Sequence, residues 1–147
     1  MWMPSDPLNN LARIGKLKTE PPSQIELDGL IRSGTVRLKD AENTTLSLES
    51  RFDLAYNAAH ALALAAMRFR GYRSENRYLV FQCLQHTLGL SAEHWRVLDQ
   101  AHTKRNRAEY EGDTDIDLAL VDAVLRVVRE IAARLAALGS VAGQGSR

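Results

Sequence analysis

The chain has a single cysteine, Cys83, so no internal disulfide framework can form. One thiol fits a reducing compartment, and we expect a cytoplasmic protein. No stretch approaches the roughly 18 consecutive apolar residues of a membrane span. The opening "MWMPSDPLNNLARIG" lacks the basic start and apolar run of a signal peptide, and no membrane partner is expected. An excess of one charge is missing too. Nineteen Lys and Arg stand against eighteen Asp and Glu, a net of +1, so any pull on a polyanion must come from a local cluster. There is no G-x-x-x-x-G-K, and no G-x-G-x-x-G follows a strand, which removes the standard phosphate loops. Sustained period-two alternation is absent, so a sheet protein is not expected.

Helical signals fill almost everything else. Leu8, Leu11 and Ile14 recur at helical spacing before "EPPS" interrupts, because proline disfavours helix in the residue before it. Ser23 and Glu26 make a capping-box pattern that opens a second helix with the stripe Leu27, Leu30, Ile31, Gly34, Leu38 and Ala41. Gly29 and Gly34 each weaken it by about 1 kcal/mol against alanine, and a kink or break is expected near its middle. Residues 47–71 form the strongest helix, closed by Gly71, with Ala55, Ala58, Ala59, Ala63 and Ala66 as a small-residue side. A fourth helix is predicted over Glu75–Leu88. A fifth follows Ser91 with Trp95, Leu98, Ala101 and Ala108. The last runs from about Asp115 to Leu138, its buried face carrying Leu118, Val121, Val124, Leu125, Val128, Ile131, Leu135 and Leu138. Asp122, Arg126, Glu130 and Arg134 alternate in sign on another face of it. Short connections between such helices predict an all-α antiparallel up-and-down bundle of five to six helices. Residues 1–45 read as an N-terminal helical extension, 46–138 as the bundle proper, and 139–147 as a loose tail.

Few residues suggest chemistry. His60, His86, His94 and His102 lie on three helices with no pair at the spacing of a helical zinc site. "DTDID", residues 113–117, begins like a calcium loop, but Leu118 stands where that loop needs glycine and Val124 where it needs glutamate. Neither a metal nor a cofactor is therefore expected. Cys83 follows "LVFQ" on an apolar helix and reads as a core thiol. His60, in "YNAAHALALA", reads as a packed core or interface histidine.

"AHTKRNRAEYEG", residues 101–112, stands apart. Lys104, Arg105 and Arg107 surround Asn106, and Trp95, Leu98, His102, Arg105 and Glu109 fall on one helical stripe that turns from apolar to polar. Asn106 and Tyr110, four apart, can face one space. Two readings stay open. Cations near a helix C-terminus are stabilised by its dipole, and Arg105 can pair with Glu109. The other reading is a site that handles phosphate.

The Ala-rich helix "FDLAYNAAHALALAAMRFRGYR" followed by "RNRAEY" resembles the HEPN domains, the nucleotide-binding helical domains of prokaryotes and higher eukaryotes. The resemblance spans residues 46–138. It implies a homodimer whose paired motifs face each other across a cleft, an RNA or nucleotide ligand, and metal-independent endoribonuclease chemistry. It further implies a toxin–antitoxin setting with a nucleotidyltransferase-type antitoxin as partner. Arg105 and Asn106 match the motif, but Tyr110 stands where the family carries histidine. An unperturbed phenol, with a pKa of about 10, is mostly a donor near neutral pH, whereas imidazole both gives and takes a proton. On this reading Arg105 stabilises charge at a phosphate, Asn106 orients it, and Tyr110 donates a proton. Lys104, Arg107 and His102 hold flanking nucleic acid. A ribonuclease of weakened activity, a binding module and a helical adaptor without a polyanion ligand are the functions in play.

Overall fold

The computed structural model describes residues 6–112 and 115–141. Part of the calcium-loop pattern (113–114) and most of the expected tail (142–147) lie outside them, as do residues 1–5. The described chain is a helical bundle: α1 (Asp6–Arg13), α2 (Gln24–Ala41), α3 (Leu48–Phe69), α4 (Arg77–Gln82), α5 (Leu84–Thr87), α6 (Ala92–Glu111) and α7 (Leu118–Leu138). A small antiparallel ribbon joins β1 (Lys18–Thr19) to β2 (Tyr72–Arg73), with Lys18 opposite Arg73 and Thr19 opposite Tyr72.

The central element is α3. Ala55, Ala58, Ala59, Ala63 and Ala66 are all at most 1% exposed, so short side chains let α2 and α7 approach closely. Neighbouring helices run opposite ways. Glu42, at the end of α2, pairs with Arg129 of α7, while Gln24, at its start, accepts a bond from the Val141 N–H at 2.8 Å. Likewise Arg134 of α7 donates to the carbonyls of Leu88 and Gly89, just before α6 starts. Leu8, Leu17, Leu27 and Ala41 belong to the same apolar cluster as α3 and α7, so α1, the link after it and α2 share one core with the rest.

Several details differ from the sequence expectations. The Glu75–Leu88 helix is two short helices with Cys83 as the hinge residue between them. Cys83 is buried, and burial pushes its thiol up to about 11. Leu118, expected on the buried face of α7, is half-exposed because it occupies the first position of that helix after the Asp117 cap. Ile14 likewise lies outside α1, exposed, and Leu17 takes the core position instead. Only half of the capping box forms. Ser23 accepts from the Glu26 N–H, but the Glu26 carboxylate is engaged with Arg68 and Arg73. Helices α3 and α6 end at glycines with positive φ, Gly71 (89°) and Gly112 (70°), a backbone shape that side chains disfavour.

Helix α2 passes through both its glycines without a break. The two serve different ends. A Cβ on Gly29 would meet nothing within 4 Å, whereas a Cβ on Gly34 would lie 2.5 Å from Leu62 Cγ and Cδ2 and 3.3 Å from the Ala58 carbonyl. Gly34 thus sets the α2–α3 spacing. Gly29→Ala should stabilise the protein by about 0.5–1 kcal/mol through helix propensity. Gly34→Ala should destabilise it by about 1–3 kcal/mol through overpacking. Urea unfolding of the two variants beside the wild type checks both signs, and a common sign would refute the assignment.

Candidate functional site

The polar stretch of α6 meets α3 and α4 at one buried phenol. Tyr56, on α3, is 1% exposed, yet its hydroxyl lies 2.9 Å from His102 Nδ1. His102 Nε2 in turn lies 3.3 Å from Asn106 Nδ2, one helical turn on. If the Asn106 amide donates to Nε2, the imidazole proton resides on Nδ1 and is donated to the phenol oxygen. Around the same ring stand two guanidinium groups, Arg105 with its Cζ 4.8 Å from the ring centroid and Arg77 at 5.5 Å. Arg77 also donates to Asn57 Oδ1 at 3.2 Å. Phe81 meets the Tyr56 ring edge-on at 5.6 Å, and Tyr78 tilts against His102.

This arrangement follows from the local sequence. Tyr56 sits on the face of α3 turned toward α4 and α6, and the ring fills the gap between Phe52 and Phe81. Asn76 caps α4 by accepting from the Leu79 N–H, which starts a helix whose first residue is Arg77. Burial raises the Tyr56 phenol above its ordinary range, and the nearby Arg77 and Arg105 offset that only in part. The phenol therefore stays protonated at neutral pH and acts as an orienting group.

The six residues singled out in the sequence divide among different sides of α6. His102, Arg105 and Asn106 gather at Tyr56. Arg105 lies over that ring rather than on Glu109, the partner the plain surface reading gave it. Tyr110 is 78% exposed and shares a shallow hollow with Asn106, Arg107, Thr103 and Glu111. Lys104 and Arg107 border another hollow, toward Leu120 of α7. A further concavity is lined by Glu49, Asp53 and Glu109 together with Arg105, and the three carboxylates repel an anion there.

Sequence reasoning missed Arg77, and nothing in the chain marks it, since it is distant from Arg105 in sequence and lies at the start of a short helix. His60, read as a packed histidine, is half-buried against the edge of Phe81, and its Nε2 has no hydrogen-bond partner among the described residues. Burial, together with Arg77 and Arg105, lowers it from 6.5 to about 4. Among the described residues no group of three histidine, cysteine or acidic side chains is placed to hold a metal ion. No helix there is long and apolar enough to cross a membrane. Comparison with protein-family models, curated proteins and solved structures finds no match to this chain.

The low value for His60 carries a pH dependence. In the unfolded chain the imidazole takes a proton near 6.5, but in the folded chain only near 4. The unfolded state binds more protons between those values, so the stability present above pH 6.5 is lost as pH falls toward 4. The total is up to about 3 kcal/mol. Replacing His60 with Leu should flatten the stability-versus-pH curve across that window, which denaturant unfolding at a series of pH values measures. An unchanged slope would remove His60 from the account.

Proposed function

We propose that this chain is a HEPN-like cytoplasmic protein that binds the phosphates of RNA or a nucleotide at the Tyr56 cluster, in a cleft formed between two copies. What supports the reading is one observation: Arg77 and Arg105, from different helices, are both held over a single buried ring beside a hydrogen-bonded imidazole. Like charges gathered this way repel each other unless an anion lies between them. Preorganised cations of this kind stabilise charge that develops on a phosphate.

On this reading Arg105 and Arg77 grip phosphate oxygens, and Asn106 orients the bound group. His102 is better suited to moving a proton than Tyr110, because its ring is fixed by Tyr56 on one nitrogen and faces Asn106 with the other. Any endoribonuclease activity, metal-independent and weak, then runs through His102. Lys104 and Arg107 hold flanking phosphates without reading sequence. An antitoxin of nucleotidyltransferase type is the partner that this class of protein would take.

A second reading, a helical adaptor without catalysis or polyanion, draws on Ile25 and Val36. Both are exposed, at 87% and 47%, and about three turns apart on α2, so they share a face open to another protein.

Binding of a fluorescent single-stranded oligoribonucleotide at several salt concentrations separates the two. Arg105→Ala should weaken binding about tenfold or more and lower the slope of log affinity against log salt by about 1. His102→Ala should abolish any cleavage, and Tyr110→Phe should leave cleavage and affinity near wild type. Affinity that ignores both salt and Arg105 would sink the polyanion reading in favour of the adaptor.

A further inference from the structure

A second cationic feature lies on the other side of Arg77. The loop after α1, the His60 turn of α3 and the link from β2 to α4 enclose a cavity of about 490 Å³. That size falls within the range of small-ligand pockets. Lys16, Lys18, Arg73 and Arg77 line it, with Glu75 as the one carboxylate among its lining residues. Arg73 is already neutralised by Glu20 and Glu26. Lys16, Lys18 and Arg77 carry no carboxylate partner among the described residues, and together they outweigh Glu75.

His60 forms part of the same wall. Buried polar atoms are nearly always satisfied, so its unpartnered Nε2 asks for an explanation. That nitrogen is closed off from solvent, so the ring lines the cavity with its other atoms and serves as a reporter of what binds there. Being neutral near pH 7, it can stand beside Arg77 without adding to the repulsion. Leu17 and Leu64 complete the lining with apolar surface, where a hydrogen bond to a charged group is stronger than in water.

We propose that this cavity binds a phosphate group, with Lys16 and Lys18 from the link after α1 and Arg77 from the start of α4 neutralising it, and the His60 ring forming part of the wall beside it. The phosphate can belong to a small free molecule or to the backbone of a nucleic acid that continues past Arg77 from the Tyr56 cluster. The chemistry recognised is the same. The site needs neither Arg105 nor His102, so it does not rest on the function proposed above.

Titration with inorganic phosphate and with pyrophosphate, followed through the His60 imidazole resonances in nitrogen-correlated NMR, tests the free source. The oligoribonucleotide assay tests the polymer source. Lys16→Ala with Lys18→Ala changes only exposed side chains, and its helix content should match wild type by circular dichroism. That double variant should lose about tenfold in affinity for whichever source binds. In Arg105→Ala the His60 resonances should still shift on adding phosphate or pyrophosphate, whereas in the lysine variant they should not, which separates this site from the Tyr56 cluster. Loss with phosphate or pyrophosphate identifies a small-molecule site, and loss with the oligonucleotide alone identifies a backbone track. If neither source perturbs the His60 resonances, or neither affinity changes in the lysine variant, the proposal is overturned.

Discussion

The fold turns on one buried cation. Arg68, near the end of α3, is 1% exposed, and every contact that makes this tolerable comes from outside its own helix or from just beyond its end. Its Nε donates to Glu26 Oε1 at 2.7 Å, and its terminal nitrogens donate to the carbonyls of Glu20, Pro21 and Tyr72. An unpaired guanidinium at that depth would cost several kcal/mol, so the chain must bring these acceptors together or leave the residue exposed. The start of α2, the proline-containing link before it and the strand β2 are therefore fixed to a single point. Burial pushes the Glu26 carboxyl up, but the bonds from Arg68 and Arg73 outweigh it and hold the group below its usual range. The neighbouring Glu20 is lowered as well, chiefly by Arg73.

That anchor explains why so small a ribbon persists. Two residues per strand bury little, and an isolated hairpin of that size would not hold in water. Here the ribbon joins two links already fastened by Arg68, and the Tyr72 hydroxyl donates to Asn9 of α1, while the Glu20 N–H donates to the Gly71 carbonyl. With β2 fixed, the short stretch 74–76 delivers Arg77 to the ring of Tyr56 and to the edge of the cavity near His60. Lys16 and Lys18, on the other link, are carried to the same cavity.

Much of this was legible in the sequence, and the legible part has a common cause. The helix of residues 47–71, its Ala-rich face and the glycine that closes it are local patterns, and these form as read. Small residues in a row state directly that another helix approaches there. What was not legible needs two distant segments at once. Arg68 looks like any basic residue in the last turn of a helix, and only the folded chain shows Glu20 and Glu26 beside it. Arg77 is likewise unmarked in the sequence until the Tyr56 ring brings it to Arg105. Even within α6 the eye groups residues by proximity in sequence. The helix separates them: Tyr110 faces away from the ring that holds Arg105, while His102, one turn before Asn106, faces it.

The electrostatics of this face follow from where its carboxylates go. Glu20 and Glu26 are consumed by Arg68 and Arg73, and Glu130 by Arg134, so these acids are not available to neutralise the cations near Tyr56. Glu49, Asp53 and Glu109 line a hollow with Arg105, and Glu75 lines the cavity with Arg77. Arg105 thus stands at a boundary, between the carboxylates of that hollow and the cation Arg77 over the Tyr56 ring, within a protein whose net charge is only +1. Such a boundary orients an anion more sharply than a uniform positive patch, because attraction and repulsion act across one side chain. His60 registers the basic side independently. It lies under the ring cluster, and the two guanidinium groups add to burial in keeping its imidazole uncharged. Burial is the larger cause of that low value, and Arg77, which adds to it, is the residue common to the cluster and the cavity.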